Sequence, residues 1–259
     1  MPLNLHNRQM GFTLVEMVVS IVLIGIIGVG ITNFISRSTQ GMVDIAERQQ
    51  LATIGWTVSE KVSRELRQAL PNSVRINATN TCVEFLLSIA GSDYLSVPTL
   101  TAATSFESVP FQHYDASIVD SGVDRIAIYP SSVTGLYDLT NPGVISGLMS
   151  QVSAGTTTGA VTLELAASHR FIAHSPTNRV YIVQDPVMYC FDSGFLYRYS
   201  DYGYHTTFAT GSTLKNQTVI GNRLNTGAFT YTAGALTRSA IVTMSFNVTG
   251  NHGATQAIN

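Results

Sequence analysis

The hydrophobic pattern begins with an uninterrupted apolar run near the N-terminus. Residues 17–36 read MVVSIVLIGIIGVGITNFIS and contain no charged side chain. At a rise of about 1.5 Å per residue, a helix of this length measures roughly 30 Å, which matches the hydrocarbon core of a bilayer. The pattern therefore predicts a membrane-spanning helical segment over residues 12–36.

After Arg37 the pattern changes to a helical repeat with one apolar stripe. Apolar residues recur at steps of three and four, which is typical of an amphipathic helix. The stripe consists of Leu51, Ile54, Val58, Val62, Leu66 and Ala69. We expect this half of the helix to cover residues 37–70 and to end at Pro71, because proline cannot continue a helix. The charged residues are expected to lie mostly on a solvated face, namely Glu60, Lys61, Arg64, Glu65 and Arg67.

From about Ser73 onward the pattern has the two-residue period of β-strands. The runs that predict strands are 81–87, 124–129, 161–165, two runs within 179–199, and a strand or pair within 228–248. The two runs within 179–199 flank Asp192-Ser193-Gly194, which predicts a hairpin turn. The intervals 98–118 and 131–160 are rich in Ser, Thr, Gly and Pro and are expected to be loops. The fold class is therefore α+β, with a long N-terminal helix packed on an antiparallel sheet in a globular domain over residues 71–259.

Composition and charge exclude some partners. The chain has 259 residues, a formal net charge of -2 and only 12% charged residues. Nucleic-acid binding needs a concentrated basic face, so no nucleic-acid partner is expected. The part beyond the apolar run is rich in Thr, Ser, Gly, Asn and Tyr, which is typical of an exported β-rich domain.

The segment before the apolar run differs from a secretory signal peptide. A signal peptide places its cleavage site after the apolar region, behind small residues. Here the short polar segment Met1–Gly11 comes first, with Arg8 as its only full charge, and no A-x-A site follows the apolar run. The positive leader is expected to stay cytoplasmic and the long polar remainder to be translocated. A signal anchor that is never processed remains an alternative.

Glu16 is a carboxylate one turn inside the apolar helix. On insertion scales an acidic residue at the centre of a membrane helix costs about 2.5–3.5 kcal/mol, so this group needs a partner. Cleavage after Gly11 would make Phe12 a free, positively charged N-terminus. That ammonium group on one subunit could neutralise Glu16 on its neighbour.

The residues Gly11-Phe12-Thr13-Leu14-Val15-Glu16, followed by about 20 apolar positions, resemble the signal of type IV pilins and of type II secretion pseudopilins. The resemblance implies that a prepilin peptidase cuts after Gly11 and methylates the nitrogen of Phe12. It also implies that Glu16 docks a new subunit onto a growing filament. Processed pilins have an N-terminal helix laid on an antiparallel sheet, in agreement with the pattern above.

A second resemblance covers later segments. The order Arg64-x-Leu66-Arg67-x-x-Leu70-Pro71, then Gly194-x-Leu196-x-Arg198 in a late hairpin, is similar to the J-type minor pseudopilins. Within that group the chain resembles a minor pilin of the mannose-sensitive haemagglutinin (MSHA) pilus. This resemblance is carried by the stretches 64–76, 82–85, 175–181 and 186–190.

This second resemblance implies a minor pilin without enzymatic activity or cofactor. Its partners would be the prepilin peptidase, the other minor pilins, the major pilin, the inner-membrane assembly platform and inner-membrane lipid. The protein would lie in the inner membrane before assembly, with its C-terminal domain in the periplasm, and in the pilus afterwards. A pseudopilin of a type II secretion system and a pilus-borne adhesin or sugar-binding module remain alternatives.

The chain has two cysteines, Cys82 and Cys190, both in predicted strands of the exported part. An even count in an oxidising compartment favours a disulfide. Closing a loop of this length would stabilise the fold by roughly 4–5 kcal/mol in the chain-entropy description. Two buried free thiols are the alternative.

No arrangement typical of catalysis or metal binding appears. His169 and His174 lack the HExxH spacing, and Ser168 lies in no G-x-S-x-G elbow. Three aspartates lack the dense spacing of a calcium loop, namely Asp115, Asp120 and Asp124. The densest aromatic stretch is expected to pack within the sheet rather than bind sugar, and comprises Tyr197, Tyr199, Tyr202 and Tyr204, with His205 beside them.

Overall fold

The computed structural model describes residues 11–112, 119–235, 237–250 and 255–258. It divides into one unit up to Gln50 and a second unit from Leu51 onward. Helix α1 (Leu14–Leu66) is one unbroken helix of 53 residues. The expected α+β class is confirmed, because an antiparallel β-domain follows this helix.

The described residues of the first unit, 11–50, contain the apolar run and the beginning of the amphipathic half of α1. None of the residues 11–50 is buried. Helix α1 contains an 18-residue window that is apolar and long enough to cross a membrane, and none of that window is buried. At the helix start, the Glu16 backbone N–H donates to Thr13 Oγ1 at 3.3 Å. Thr13 thereby satisfies one of the free amide groups at the helix N-terminus.

In the second unit, α1 buries the predicted stripe. Leu51, Val58 and Val62 are buried, and Ile54 and Leu66 pack against the same core. Gly55 is also buried, which the stripe did not predict. A side chain at Gly55 would meet Ile258 Cδ1 at 2.9 Å, so a glycine allows the last strand to lie close to the helix.

Helix α1 ends at Leu66, so the prediction that it continues to Pro71 was wrong by one turn. The chain leaves the helix because its backbone pairs with the sheet instead. The Ser88 N–H donates to Gln68 O at 2.8 Å, and the Leu70 N–H donates to Leu86 O at 2.8 Å. These bonds satisfy peptide groups that would otherwise continue the helical ladder.

Across its described residues, the second unit has two antiparallel sheets. The larger sheet has the order β1-β2-β7-β4-β5-β6-β3, with β8 pairing β7 and β9 pairing β8. The smaller sheet has the order β10-β11-β12. The strands are β1 (Arg75–Ile76), β2 (Cys82–Asp93), β3 (Ala103–Ser108), β4 (Arg125–Ile128), β5 (Ile145–Ala154), β6 (Val161–His169), β7 (Arg179–Asp192), β8 (Phe195–Tyr199), β9 (Thr218–Asn222), β10 (Leu224–Thr232), β11 (Ile241–Thr249) and β12 (Thr255–Ile258).

The predicted hairpin is confirmed in β7 and β8. Its two turn residues, Ser193 and Gly194, have φ values of 49° and 84°. Positive φ at both central positions is the geometry that matches the twist of a two-residue hairpin. Asp192 pairs with Phe195 across the turn.

The prediction that residues 98–118 and 131–160 are loops was wrong in part. The first interval contains β3, and the second contains β5. Both strands pair with β6 and bury apolar residues, including Phe106, Ile145 and Met149. Ser and Thr in these strands resemble loop composition, although β-branched Thr is favourable in a strand. Asp115 lies outside the described residues.

The main core lies where α1 meets both sheets. It includes Val58 and Val62 of the helix, Phe85 of β2, Tyr189 of β7 and Phe229 of β10. A second cluster lies around β4, β5 and β6, and contains Ile126, Met149 and Leu163. These clusters fix the positions of the strands that carry the buried polar side chains of the domain.

Candidate functional site

The predicted cleavage and docking residues stand at the start of α1. Gly11, Phe12 and Thr13 precede the first helical residue, Leu14. The side chain of Phe12 is 75% exposed, and a Cβ at Gly11 would meet no atom within 4 Å. The Gly11–Phe12 peptide bond therefore lies in accessible chain that precedes the helix.

Glu16 lies in the first turn of α1 and is exposed. Over the described ranges, no cation lies within ion-pair distance of its carboxylate. The neighbouring polar groups bind the backbone instead: Ser20 Oγ donates to Glu16 O at 2.7 Å. A negative charge in the first helical turn is favoured by the helix dipole.

Arg198, one of the residues that carry the second resemblance, joins α1 to the sheet. Arg198 on β8 donates from Nε to Glu65 Oε2 at 3.0 Å, and both side chains are only 21% exposed. Burial, followed by the charge of Glu65, raises the pKa of the neighbouring Tyr189 hydroxyl. The prediction that the helix charges are mostly solvated was therefore wrong for Glu65. Its partner is 133 residues away in sequence, so helix periodicity could not reveal the pair.

A second buried ionic group was missed by the sequence analysis. Glu84 on β2 is fully buried and forms an ion pair with Arg75, its register partner on β1. Its other oxygen accepts a hydrogen bond from the Tyr202 hydroxyl at 2.8 Å. Burial raises the pKa of Glu84, whereas the Arg75 guanidinium opposes that rise. The sequence did contain one indication of this network, because Glu84 is a charged residue within the otherwise apolar part of a predicted strand.

Cys82 and Cys190 are joined by a disulfide, as the cysteine count predicted. They form a register pair of β2 and β7. The bridge packs into a small cluster, which we call the disulfide cluster. Its members are Met188, Cys190, Tyr199, Tyr202 and Ala209, with Cys82, Tyr197, Phe208 and Leu214 packed against them.

The residues considered for other chemistry have structural contacts. His169 is buried and its Nε2 lies 3.3 Å from Gly143 O, and burial lowers the pKa of this histidine. His174 Nε2 lies 2.8 Å from Thr99 Oγ1. Where residues are described, no three His, Cys, Asp or Glu side chains come together as a metal site would require.

The remaining acidic candidates form a turn. The Asp120 N–H donates to Asp124 Oδ2 at 3.0 Å, and Gln184 Nε2 donates to Asp124 Oδ1 at 3.0 Å. The Gly122 N–H donates to Asp120 Oδ1 at 2.9 Å. The two carboxylates therefore accept hydrogen bonds that stabilise the turn immediately before β4.

The aromatic stretch after β8 turns largely inward. Tyr199 and Tyr202 are buried in the disulfide cluster, and the Tyr204 hydroxyl donates to Gln184 O at 3.1 Å. His205 Nε2 lies 2.8 Å from Tyr202 O. These rings therefore stabilise the domain and present little surface on which a sugar could stack.

The comparisons with known proteins bear on the N-terminal residues. Residues 6–32 match the family model described as the prokaryotic N-terminal methylation motif. The searches of curated proteins and of solved structures gave no match. The matched segment contains Gly11, Phe12 and Glu16, together with most of the apolar run. This motif, at the start of an exposed apolar helix that fits a membrane anchor, indicates a type IV pilin-like prepilin.

Proposed function

We propose that the chain is a minor type IV pilin, similar to the MshO subunit, that takes part in assembling an MSHA-type pilus within a priming or tip-proximal complex. One observation carries the proposal. An accessible Gly11–Phe12 bond lies immediately before an exposed apolar helix, and a carboxylate, Glu16, lies in the first turn of that helix.

The assembly step follows from the electrostatics of this helix start. Before cleavage, residues 1–11 form the cytoplasmic leader, residues 12–36 lie in the inner membrane and the domain from residue 71 lies in the periplasm. Cleavage after Gly11 by the prepilin peptidase gives Phe12 a free amino group, which is then methylated. A carboxylate in the membrane core costs about 2.5–3.5 kcal/mol, so pairing Glu16 with the ammonium of a neighbouring subunit favours docking.

Support for a minor rather than an abundant subunit comes from the J-type residues. Leu196 is buried, and Arg198 pairs with Glu65 of α1. The Gly-x-Leu-x-Arg hairpin therefore has a physical task, which is to fasten the helix to the sheet. The presence of Glu16 favours a position in which another subunit can dock above this one, because the subunit at the extreme tip of pseudopili typically lacks this glutamate.

A J-type pseudopilin of a type II secretion system is the second candidate, since the same residues support it. We propose no enzymatic activity and no cofactor for either role. The partners would be the major pilin or pseudopilin, the other minor subunits, the assembly platform and membrane lipid.

A clean deletion tests the proposal and separates the two candidates. We expect loss of surface pili, restored by the wild-type chain and by Glu60→Ala, which removes an exposed carboxylate farther along α1. Glu16→Ala should enter the membrane but restore few pili, and the wild-type chain should co-purify with other minor subunits. Loss of protein secretion with intact pili would favour the pseudopilin instead. A deletion that changes neither would contradict both.

A further inference from the structure

The segment 200–217, between β8 and β9, has little regular structure but is tied closely to the larger sheet. Its only regular element is a short 3-10 helix, Gly211–Thr213. The ties are spread along its length. At its far end Gln217 Nε2 donates to Tyr199 Oη at 3.0 Å, and in its first half Tyr202 and Tyr204 bind Glu84 and Gln184.

Arg75 holds the middle of this segment. Its guanidinium donates to three consecutive carbonyl oxygens, those of His205 at 2.7 Å, Thr206 at 2.8 Å and Thr207 at 3.3 Å. The same group lies 4.9 Å from the ring centroid of Phe208. One cation on β1 therefore fixes four successive residues, and its charge is compensated by Glu84.

The disulfide lies on the same face of the larger sheet as the hydrogen bonds that hold segment 200–217. Cys82 and Glu84 are two residues apart on β2, so their side chains point to the same face of the sheet. On that face the bridge packs with Tyr202, Phe208 and Leu214 in the disulfide cluster. Because the bridge packs directly against residues of segment 200–217, a change in its redox state should alter the position of that segment.

We propose that the Cys82–Cys190 bridge controls a redox-sensitive latch, which we define as segment 200–217 with its ties to Arg75 and Glu84. The latch is closed in the oxidised protein. It opens when a dithiol reduces the bridge, while both sheets stay folded. The open segment exposes the rings of the disulfide cluster, so the reduced subunit becomes selectively sensitive to proteases.

The reduction step balances with a dithiol as the electron donor. One thiolate of the reagent attacks a sulfur of the bridge, breaks the S–S bond and forms a mixed disulfide. The second thiol of the reagent resolves that intermediate, and the reagent leaves as its own disulfide. The two protons of the reagent end on Cys82 and Cys190, which are then thiols.

Opening is local because the strands have other support. Ten residue pairs join β2 and β7, and only one of them is the cysteine pair. On the opposite face of these strands, Val83, Phe85 and Tyr189 belong to the main core with α1. Two thiols need more room than one bridge, since unbonded sulfur atoms cannot remain at bonding distance. The small disulfide cluster must absorb that change, and segment 200–217 opens first because it belongs to no strand of either sheet.

Hydrogen exchange on the full chain in detergent micelles tests the proposal. On treatment with dithiothreitol, amides in 200–217 should exchange about tenfold faster or more. Strands β10 and β11 should stay protected over the same labelling time. Unchanged exchange in 200–217 would overturn the proposal, and so would a simultaneous loss of protection in β10 and β11, which indicates global unfolding.

Two variants separate the bridge from the ties. The double variant Cys82→Ser, Cys190→Ser should show the open segment without reagent. Tyr202→Phe removes the bond to Glu84 but keeps the bridge, so it should loosen the segment in part and still respond to dithiothreitol. Tyr231→Phe, on β10, is the matched control and should behave as wild type. A Tyr202→Phe protein that is fully open while oxidised would contradict control by the bridge.

Discussion

Residues 11–50 and the part of the chain from Leu51 onward differ in how far they bury their apolar residues. No residue between 11 and 50 is buried, although this stretch is the most apolar in the chain. From Leu51 onward, the described residues form four clusters of buried side chains, which include residues of α1, of both sheets and of the disulfide. Apolar surface left open on a folded chain marks a membrane or protein contact. The apolar residues of the first part therefore need a membrane or another protein to cover them, whereas those of the second part are covered by contacts within the chain.

This difference separates two kinds of mutational effect. A change before Gln50 should alter processing or assembly and leave the stability of the β-domain unchanged. A change in the β-domain should alter the free energy of unfolding through named contacts. The predictions below test this separation, beginning with the largest effect.

Gly11 substituted by a large residue should abolish processing. The motif implies a peptidase that accepts glycine before the cut, and a bulky side chain at this exposed position would obstruct binding. Gly11→Trp should therefore accumulate as the longer precursor on a gel, with the thermal unfolding of its domain unchanged. Gly25→Ala, within the apolar helix, is the control and should be processed. A Gly11→Trp chain of mature size would show that the cut lies elsewhere.

The separation also explains what the sequence could predict. The apolar run, the cleavage motif and the stripe of α1 depend on neighbours close in sequence, and the hairpin depends on one turn. The pairs Glu65–Arg198 and Arg75–His205 join residues 133 and 130 positions apart. No local pattern contains such a pair, so these charges were expected to be solvated or were not singled out.

The missed strands have a related cause. Strand β3 reads ATSFES, and β5 reads ISGLMSQVSA. Their small polar residues match loop composition, whereas their strand character comes from pairing with β6 on either side. The end of α1 was misplaced in the same way, because the peptide groups of Gln68 and Leu70 bind β2. Tertiary pairing overrides local preference in all three places.

Glu84→Ala should cause the largest loss of stability within the β-domain. It removes a fully buried carboxylate and leaves the Arg75 cation without its charge partner. Breaking a buried pair on one side costs about 3–5 kcal/mol. Urea unfolding of the full chain in micelles, followed by circular dichroism, measures this loss. Glu60→Ala, an exposed glutamate on α1, should stay within about 0.5 kcal/mol of wild type. Equal effects of the two variants would contradict the buried network.

Gly227→Ala should destabilise the domain by a smaller amount. A Cβ at this β10 position would collide with the ring of Phe191. That ring cannot move easily, because it lies between Phe229 and Phe246, with centroids 5.0 and 5.9 Å away. Overpacking of this kind costs about 1–3 kcal/mol. Gly147→Ala, on β5, is the control, since a Cβ there meets no atom within 4 Å. If Gly227→Ala were as stable as the control, β10 would have to lie farther from Phe191 of β7 than it does in this structure.

Glu107→Gln should give the smallest effect on stability, and that effect should depend on pH. Its carboxylate accepts hydrogen bonds from the Thr157 hydroxyl at 2.6 Å and the Thr157 N–H at 3.1 Å, and further bonds from Thr156. The side-chain bonds from Thr156 and Thr157 lower the pKa of Glu107 to about 2. Because the folded pKa lies below the ordinary value of 4.5, the ionised group contributes stability above pH 4.5. That contribution should be lost as the pH falls from 4.5 through about 2.

The melting temperature of Glu107→Gln should therefore lie below that of wild type at pH 7, and the gap should close by pH 2. A gap that is independent of pH would show that the threonines bind the side chain without favouring its charge.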